Sequence, residues 1–150
     1  MSRLIRGGFG ARIYQLELSG FDTHAQQRGG HEILLRQLSE AAAAFFDDLA
    51  EQGCAGEVML FAFSEFGRRV QENASRGTDH GAAAPALLIS GAVRGGLVGA
   101  HPSLSDLDDG DLRHGVDFRR VYATLLSRWL GVDAGVVLGS QHEPLDLIAS

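Results

Sequence analysis

Lysine is absent from this sequence, so all 13 basic residues are arginines, and 19 acidic residues outnumber them. The formal net charge of -6 at pH 7 argues against nucleic acid as a partner, because a phosphate backbone calls for clustered Lys and Arg. Cysteine occurs once, as Cys54, which excludes an intramolecular disulfide. Its neighbours Gly53 and Ala55 place it in a helix-to-strand turn as a small packed residue. No run of 18 apolar residues exists, so no stretch reads as a membrane-spanning helix. The opening MSRLIRGGFG has arginines but no long apolar segment behind them, and it does not read as a signal peptide. As it stands the chain shows no export signal and reads as cytoplasmic, while the sequence leaves the protein's location open.

What remains is ordinary globular material. The 150 residues are 45% hydrophobic and 21% charged, which suits one domain with a real core. Residues 2–5 read as the end of a helix, stopped by Gly7, Gly8 and Gly10. Residues 11–18 (ARIYQLEL) alternate apolar and polar positions and predict a strand. Residues 31–52 carry Leu34, Leu38, Ala41, Phe45 and Leu49 at spacings of three and four, one apolar face of a helix that Gly53 ends. Residues 57–63 (EVMLFAF) form a short apolar run of the kind a doubly covered parallel strand needs. Residues 64–81 read as a polar loop, 85–90 (PALLIS) as a third strand, 91–99 as a glycine-rich turn or hairpin, and 101–115 as an acidic loop. Residues 117–130 (DFRRVYATLLSRWL) predict a second helix with Asp117 as N-cap and Gly131 as stop. This order predicts an α/β domain, layered, with a mainly parallel sheet and flanking helices.

In such a sheet, ligands gather in the loops after the strand ends. Here those loops are residues 20–30 and 64–81. The first holds Asp22 and His24; the second holds Glu65, Arg68, Asp79 and His80. Carboxylate oxygen with imidazole nitrogen suits Zn, Mn or Fe better than Ca or Mg. Two such ions can clamp a phosphoryl or sulfuryl oxygen and activate a nucleophile. An isolated Asp-His pair is more often a solvated acid beside a surface histidine; two pairs, each following a strand or its loop and flanked by glycine, strengthen the metal reading. Arg68 suits either an anionic substrate oxygen or an ion pair that orients the ligands, and the second is favoured. Arg119 and Arg120 read as a solvated helix face. Gly95, Gly96 and Gly99 match no phosphate-loop pattern and read as a tight hairpin.

The stretches GFDTHAQQ, FSEFGRRVQENASRGTDHG, ISGAVRGGLVG and DFRRVYATLLSRWLG resemble the bacterial family catalogued as domain of unknown function 1501. That family is grouped with the alkaline-phosphatase and sulfatase superfamily. The resemblance runs in order from residue 4 to about residue 138. It implies a metal-dependent hydrolase-like, alkaline-phosphatase-like fold and one or two divalent ions, Zn or Mn. On the superfamily pattern, Asp79 and His80 occupy the paired Asp-His metal position. Asp22 and His24 occupy the position of the other metal, where many relatives space the two residues further apart. His114 is the candidate third histidine, with His101 and His142 as competitors and His31 kept for its nearness to His24. For each of these the plain alternative is a surface or helix-cap histidine.

The resemblance also implies that an N-terminal Asp ligand and a Ser, Thr or modified Cys nucleophile precede the matched part. The chain is therefore expected to be the C-terminal portion of an incomplete domain, with no catalytic nucleophile of its own. Full-length relatives often start with a twin-arginine export signal. A sheet lacking strands exposes apolar surface, so self-association or a complementing N-terminal chain is the expected partnership, with a phosphate or sulfate ester as substrate. The rival expectation is a non-catalytic binding or assembly module that keeps the fold.

Overall fold

The computed structural model describes residues 1–149. Its longest element is the helix α2, Gln27–Glu51; the short helix α1, Ser2–Arg6, packs near it. α2 starts four residues earlier than its apolar pattern predicts, and it runs through Gly29 and Gly30. No side chain caps it. Instead, the backbone N–H groups of Gln26 and Gln27 donate to the carbonyls of Ser75 and Arg76, each at 3.0 Å. Donors that a helix start leaves orphaned are thus satisfied from across the molecule.

Strand β1, Leu60–Ala62, pairs antiparallel with β4, Leu87–Ile89, in the register Leu60–Ile89, Phe61–Leu88 and Ala62–Leu87. Alternation sorts the side chains of β1 onto two faces. Phe61 and Phe63 meet Tyr122 at ring-centroid distances of 5.6 and 6.1 Å. Leu60 and Ala62 line a groove of about 730 Å³ against Leu35, Leu38, Ala42 and Phe46 of α2. Between β1 and β4 the chain makes a hairpin, β2 (Gly67–Glu72) with β3 (Thr78–Gly81), whose register shifts between Arg68 and Glu72. A smaller hairpin, β5 (Leu107–Asp108) with β6 (Asp111–Leu112), lies beside β2.

Helix α3, Phe118–Thr124, is capped by Asp117, whose Oδ1 accepts from the Arg119 N–H at 2.9 Å. It runs on into a π-helical turn, Leu125–Trp129, and Gly131 at φ 66° ends it. Short helix α4, Ala134–Leu138, follows, capped by Asp133. The best-buried residues are Leu49, Ala123, Thr124, Ala134, Leu145 and Leu147. Thr124 is the buried polar member. Its hydroxyl donates to the Arg120 carbonyl and accepts from the Leu145 N–H, each at 2.8 Å. That pair of bonds ties the C-terminal segment to α3, and a single bridge between Val93 and Ile148 extends the tie.

The expected α/β layers, with a mainly parallel alkaline-phosphatase-like sheet, are not what the chain forms. Among the described residues there are three two-stranded sheets, all antiparallel. A parallel neighbour needs a crossover, usually a helix. The connection between β1 and β4 holds the β2–β3 hairpin and no helix, so β4 returns antiparallel. The predicted strand at 11–18 has no regular secondary structure and pairs with no strand among the described residues, and Ile13 and Leu16 stand 73% and 75% exposed. The presumed loop at 64–81 is the β2–β3 hairpin. The hairpin expected at 91–99 forms no strand pair among the described residues; it is tied by the Val93–Ile148 bridge and by the Arg94 N–H donating to the Leu147 carbonyl at 2.8 Å. The acidic loop at 101–115 contains β5 and β6.

Candidate metal centre

A turn over residues 21–24 and the β2–β3 hairpin meet here. In the first, the Thr23 N–H donates to the Phe21 carbonyl at 2.8 Å, closing a three-residue turn centred on Asp22. Asp22 and His24 therefore project on the same side. In the second, β3 carries Asp79 and His80, and Arg68 sits directly opposite His80 across the hairpin. Phe66 stacks on the His80 ring at 3.9 Å with the planes 10° apart, which fixes the imidazole.

Three ligand atoms converge. His80 Nε2 lies 2.7 Å from Asp22 Oδ1, His24 Nε2 lies 2.9 Å from the same oxygen, and the two Nε2 atoms are 3.2 Å apart. A tetrahedral zinc ion with bonds of about 2.0–2.1 Å separates its ligand atoms by about 3.3 Å. The observed triangle is close to that size, and small rotamer adjustments would open it to fit. Two imidazoles and one carboxylate form a donor set suited to Zn and Mn, with coordination positions left for water or an anion. All three side chains are exposed, so the open side faces solvent.

Asp79 does not join the triangle. It stands behind His24, with Oδ1 3.4 Å from Nδ1 of that ring. A carboxylate on the far nitrogen of a ligating imidazole fixes its tautomer and raises its basicity. Both carboxylates are held below the usual range. For Asp22 the leading cause is the hydrogen bond from His80, only partly opposed by burial; for Asp79 it is the Asn73 amide, followed by His24. Both remain ionised in mild acid.

Arg68 is the best-covered charged group here, at 17% exposure. Its guanidinium donates to the carbonyls of Phe21 and Thr78, each at 2.6 Å, and reaches within 3.7 Å of Asp22. It braces the Asp22 turn against the hairpin, which leaves little of it free for a substrate. Glu65 is exposed and shares no hydrogen bond or ion pair with the cluster among the described residues. His114 is exposed and belongs to no convergent ligand group among the described residues. His101 donates to the Pro102 carbonyl and His142 meets the Ser140 hydroxyl, each at 2.8 Å. His31 lies edge-on to Phe21 at 5.4 Å.

Asn73 bonds both the His24 carbonyl and Asp79 of β3, yet its sequence signal is weak. The legible signal is an Asn opening the polar turn NASRG, where its side chain can cap backbone N–H groups. Gly77 also went unmarked. A Cβ there would collide with the His24 carbonyl, so the two loops touch only because residue 77 has no side chain.

Fold and site together define a mixed α and β chain that gathers an Asp-His-His cluster where a three-residue turn meets a hairpin. The chain belongs to the family described as "Protein of unknown function (DUF1501)", whose sequence model matches residues 2–141. Neither a curated protein nor a solved structure matches it.

Proposed function

We propose that this chain is a divalent-metal-binding, hydrolase-like module that presents one metal centre to an anionic phosphate or sulfate ester. The observation that carries the reading is the convergence of ligand atoms of Asp22, His24 and His80 within 2.7–3.2 Å of one another, from the residue 21–24 turn and from β3. Asp22 Oδ1, His24 Nε2 and His80 Nε2 would hold the ion, Zn or Mn. When bound, the ion would supply electrophilic activation of an ester oxygen. The remaining groups position. Asp79 aims His24, Phe66 aims His80, and Arg68 braces the turn that carries Asp22. The Thr78 hydroxyl donates to the Gln27 side chain at 2.9 Å, which ties the hairpin to the start of α2.

The second reading is an assembly module in which the ion is structural. The exposed apolar groove between α2 and the β1–β4 pair favours it.

Metal content by plasma mass spectrometry, on tag-free protein and on Asp22→Ala and Asp79→Ala variants, tests the proposal. Near-stoichiometric Zn or Mn in the parent is expected. Asp22→Ala should abolish it, and Asp79→Ala should weaken it by about 10–100-fold, as loss of an outer carboxylate does. A folded parent that takes up no metal would sink the proposal. Turnover of aryl phosphate or sulfate esters by loaded protein then separates the hydrolase reading from the assembly reading.

A further inference from the structure

Asn73 lies where β2 gives way to the turn before β3, and its side chain is used to capacity. Nδ2 donates to the His24 carbonyl and to Asp79 Oδ1, each at 3.1 Å. Oδ1 accepts from the N–H groups of Ser75 at 2.9 Å and Gly77 at 3.1 Å. An asparagine amide has two N–H donors and one oxygen with two lone pairs, so nothing on it is idle. The oxygen of Asp79 that receives Asn73 is the same one that faces His24 Nδ1. Asp79 is 63% exposed, so a lone carboxylate there has several solvated rotamers to choose from. Holding it in one orientation costs entropy unless a partner is already fixed. Asn73 is such a partner, because the turn pins its oxygen.

We infer that Asn73 is a positioning residue of the metal centre: it holds Asp79 against Nδ1 of His24, and so keeps Nε2 of that ring aimed at Asp22 and His80. The inference rests on the metal reading proposed above. A role confined to shaping the turn is the alternative, and the two differ in what they require of Asp79. Serine at this position can still accept from the turn but is too short to reach Asp79.

The test is a double-mutant cycle on the full chain, with zinc affinity measured by competition against a chromophoric chelator. Metal-free melting is followed alongside. The proteins are the parent, Asn73→Ser, Asp79→Ala and the double variant. Asn73→Ser is expected to bind zinc about 10–100-fold more weakly than the parent. In the Asp79→Ala background the same change should cost less than about threefold, because the group it acts through is gone. The bond to the His24 carbonyl, common to both backgrounds, accounts for that remainder. Equal losses in both backgrounds, or parent-like affinity in folded Asn73→Ser, would overturn the inference. If Asn73→Ser does not fold without metal, Asn73→Thr takes its place: its hydroxyl keeps an acceptor for the turn, is too short to reach Asp79, and is expected to show the same dependence on Asp79. A folded parent that binds no zinc fails the metal reading itself, an outcome visible before any variant is compared.

Discussion

At Asp117 one side chain does two local jobs. Its Oδ1 caps α3 through the Arg119 N–H, and the Arg119 guanidinium folds back onto both carboxylate oxygens. Those bonds hold the Asp117 carboxyl well below the usual carboxylate range, the Arg119 side chain being the first cause. A group whose folded value is depressed contributes stability in full above its unfolded value, near 3.9, and loses it as pH falls toward the folded value. Asp117→Ala should therefore lower the melting temperature at pH 7 by about 2–4 °C. The gap from the parent should close as pH drops below about 3.9. Melts at pH 7 and in strong acid check this; a gap that persists unchanged in acid would refute the charge-assisted account. This cap was readable from sequence, because Asp117 immediately precedes an apolar helical pattern. Asn73 was less readable. Its partners His24 and Asp79 are 49 and 6 residues away, and no local pattern announces the first of them.

Among elements, the decisive contact is between the start of α2 and the β2–β3 turn. Gln26 and Gln27 donate to Ser75 and Arg76, Asn73 reaches the His24 carbonyl, and the Thr78 hydroxyl donates to the Gln27 side chain at 2.9 Å. This latch brings residues 22–24 to residues 79–80. Gly77 permits it, since the His24 carbonyl occupies the space a Cβ would need. Gly77→Ala should push the turn off the helix start, weakening zinc binding by at least about tenfold, the scale seen when supports of a metal ligand are lost. It should also fray the first turn of α2. Chelator competition and far-ultraviolet circular dichroism together test this, and unchanged values in both would count against the latch. Helix periodicity in residues 31–52 was plain in the sequence, but the four-residue extension at its N-terminus was not, because the cap comes from another element.

The whole molecule is open. It exposes 10410 Å² across the described residues, whereas a compact chain of this size exposes about 7400 Å². The excess includes Ile13 and Leu16 of the irregular segment at 11–18 and the groove beside α2. Apolar surface on this scale favours association. We expect static light scattering to report a mass that rises with concentration above that of one chain. A constant single-chain mass at high concentration would argue against that expectation. The formal charge of -6 opposes collapse into aggregates without covering the groove.

By itself the sequence determined the pieces that depend on near neighbours: the body of α2, the capped α3, the apolar runs that become β1 and β4, and the Asp and His residues available to a metal. Only the tertiary structure decided how those pieces combine. Strand direction depends on what lies between strands, and a hairpin stands where a crossover helix was expected, so the sheet is antiparallel. Which carboxylate meets the imidazoles depends on side-chain direction in the residue 21–24 turn and in β3; Asp22 meets both while Asp79 backs one of them. Spacing along the chain constrains a residue's immediate neighbours, whereas the strand pairing turns on residues 25–29 apart and the Asp-His cluster on residues 55–58 apart.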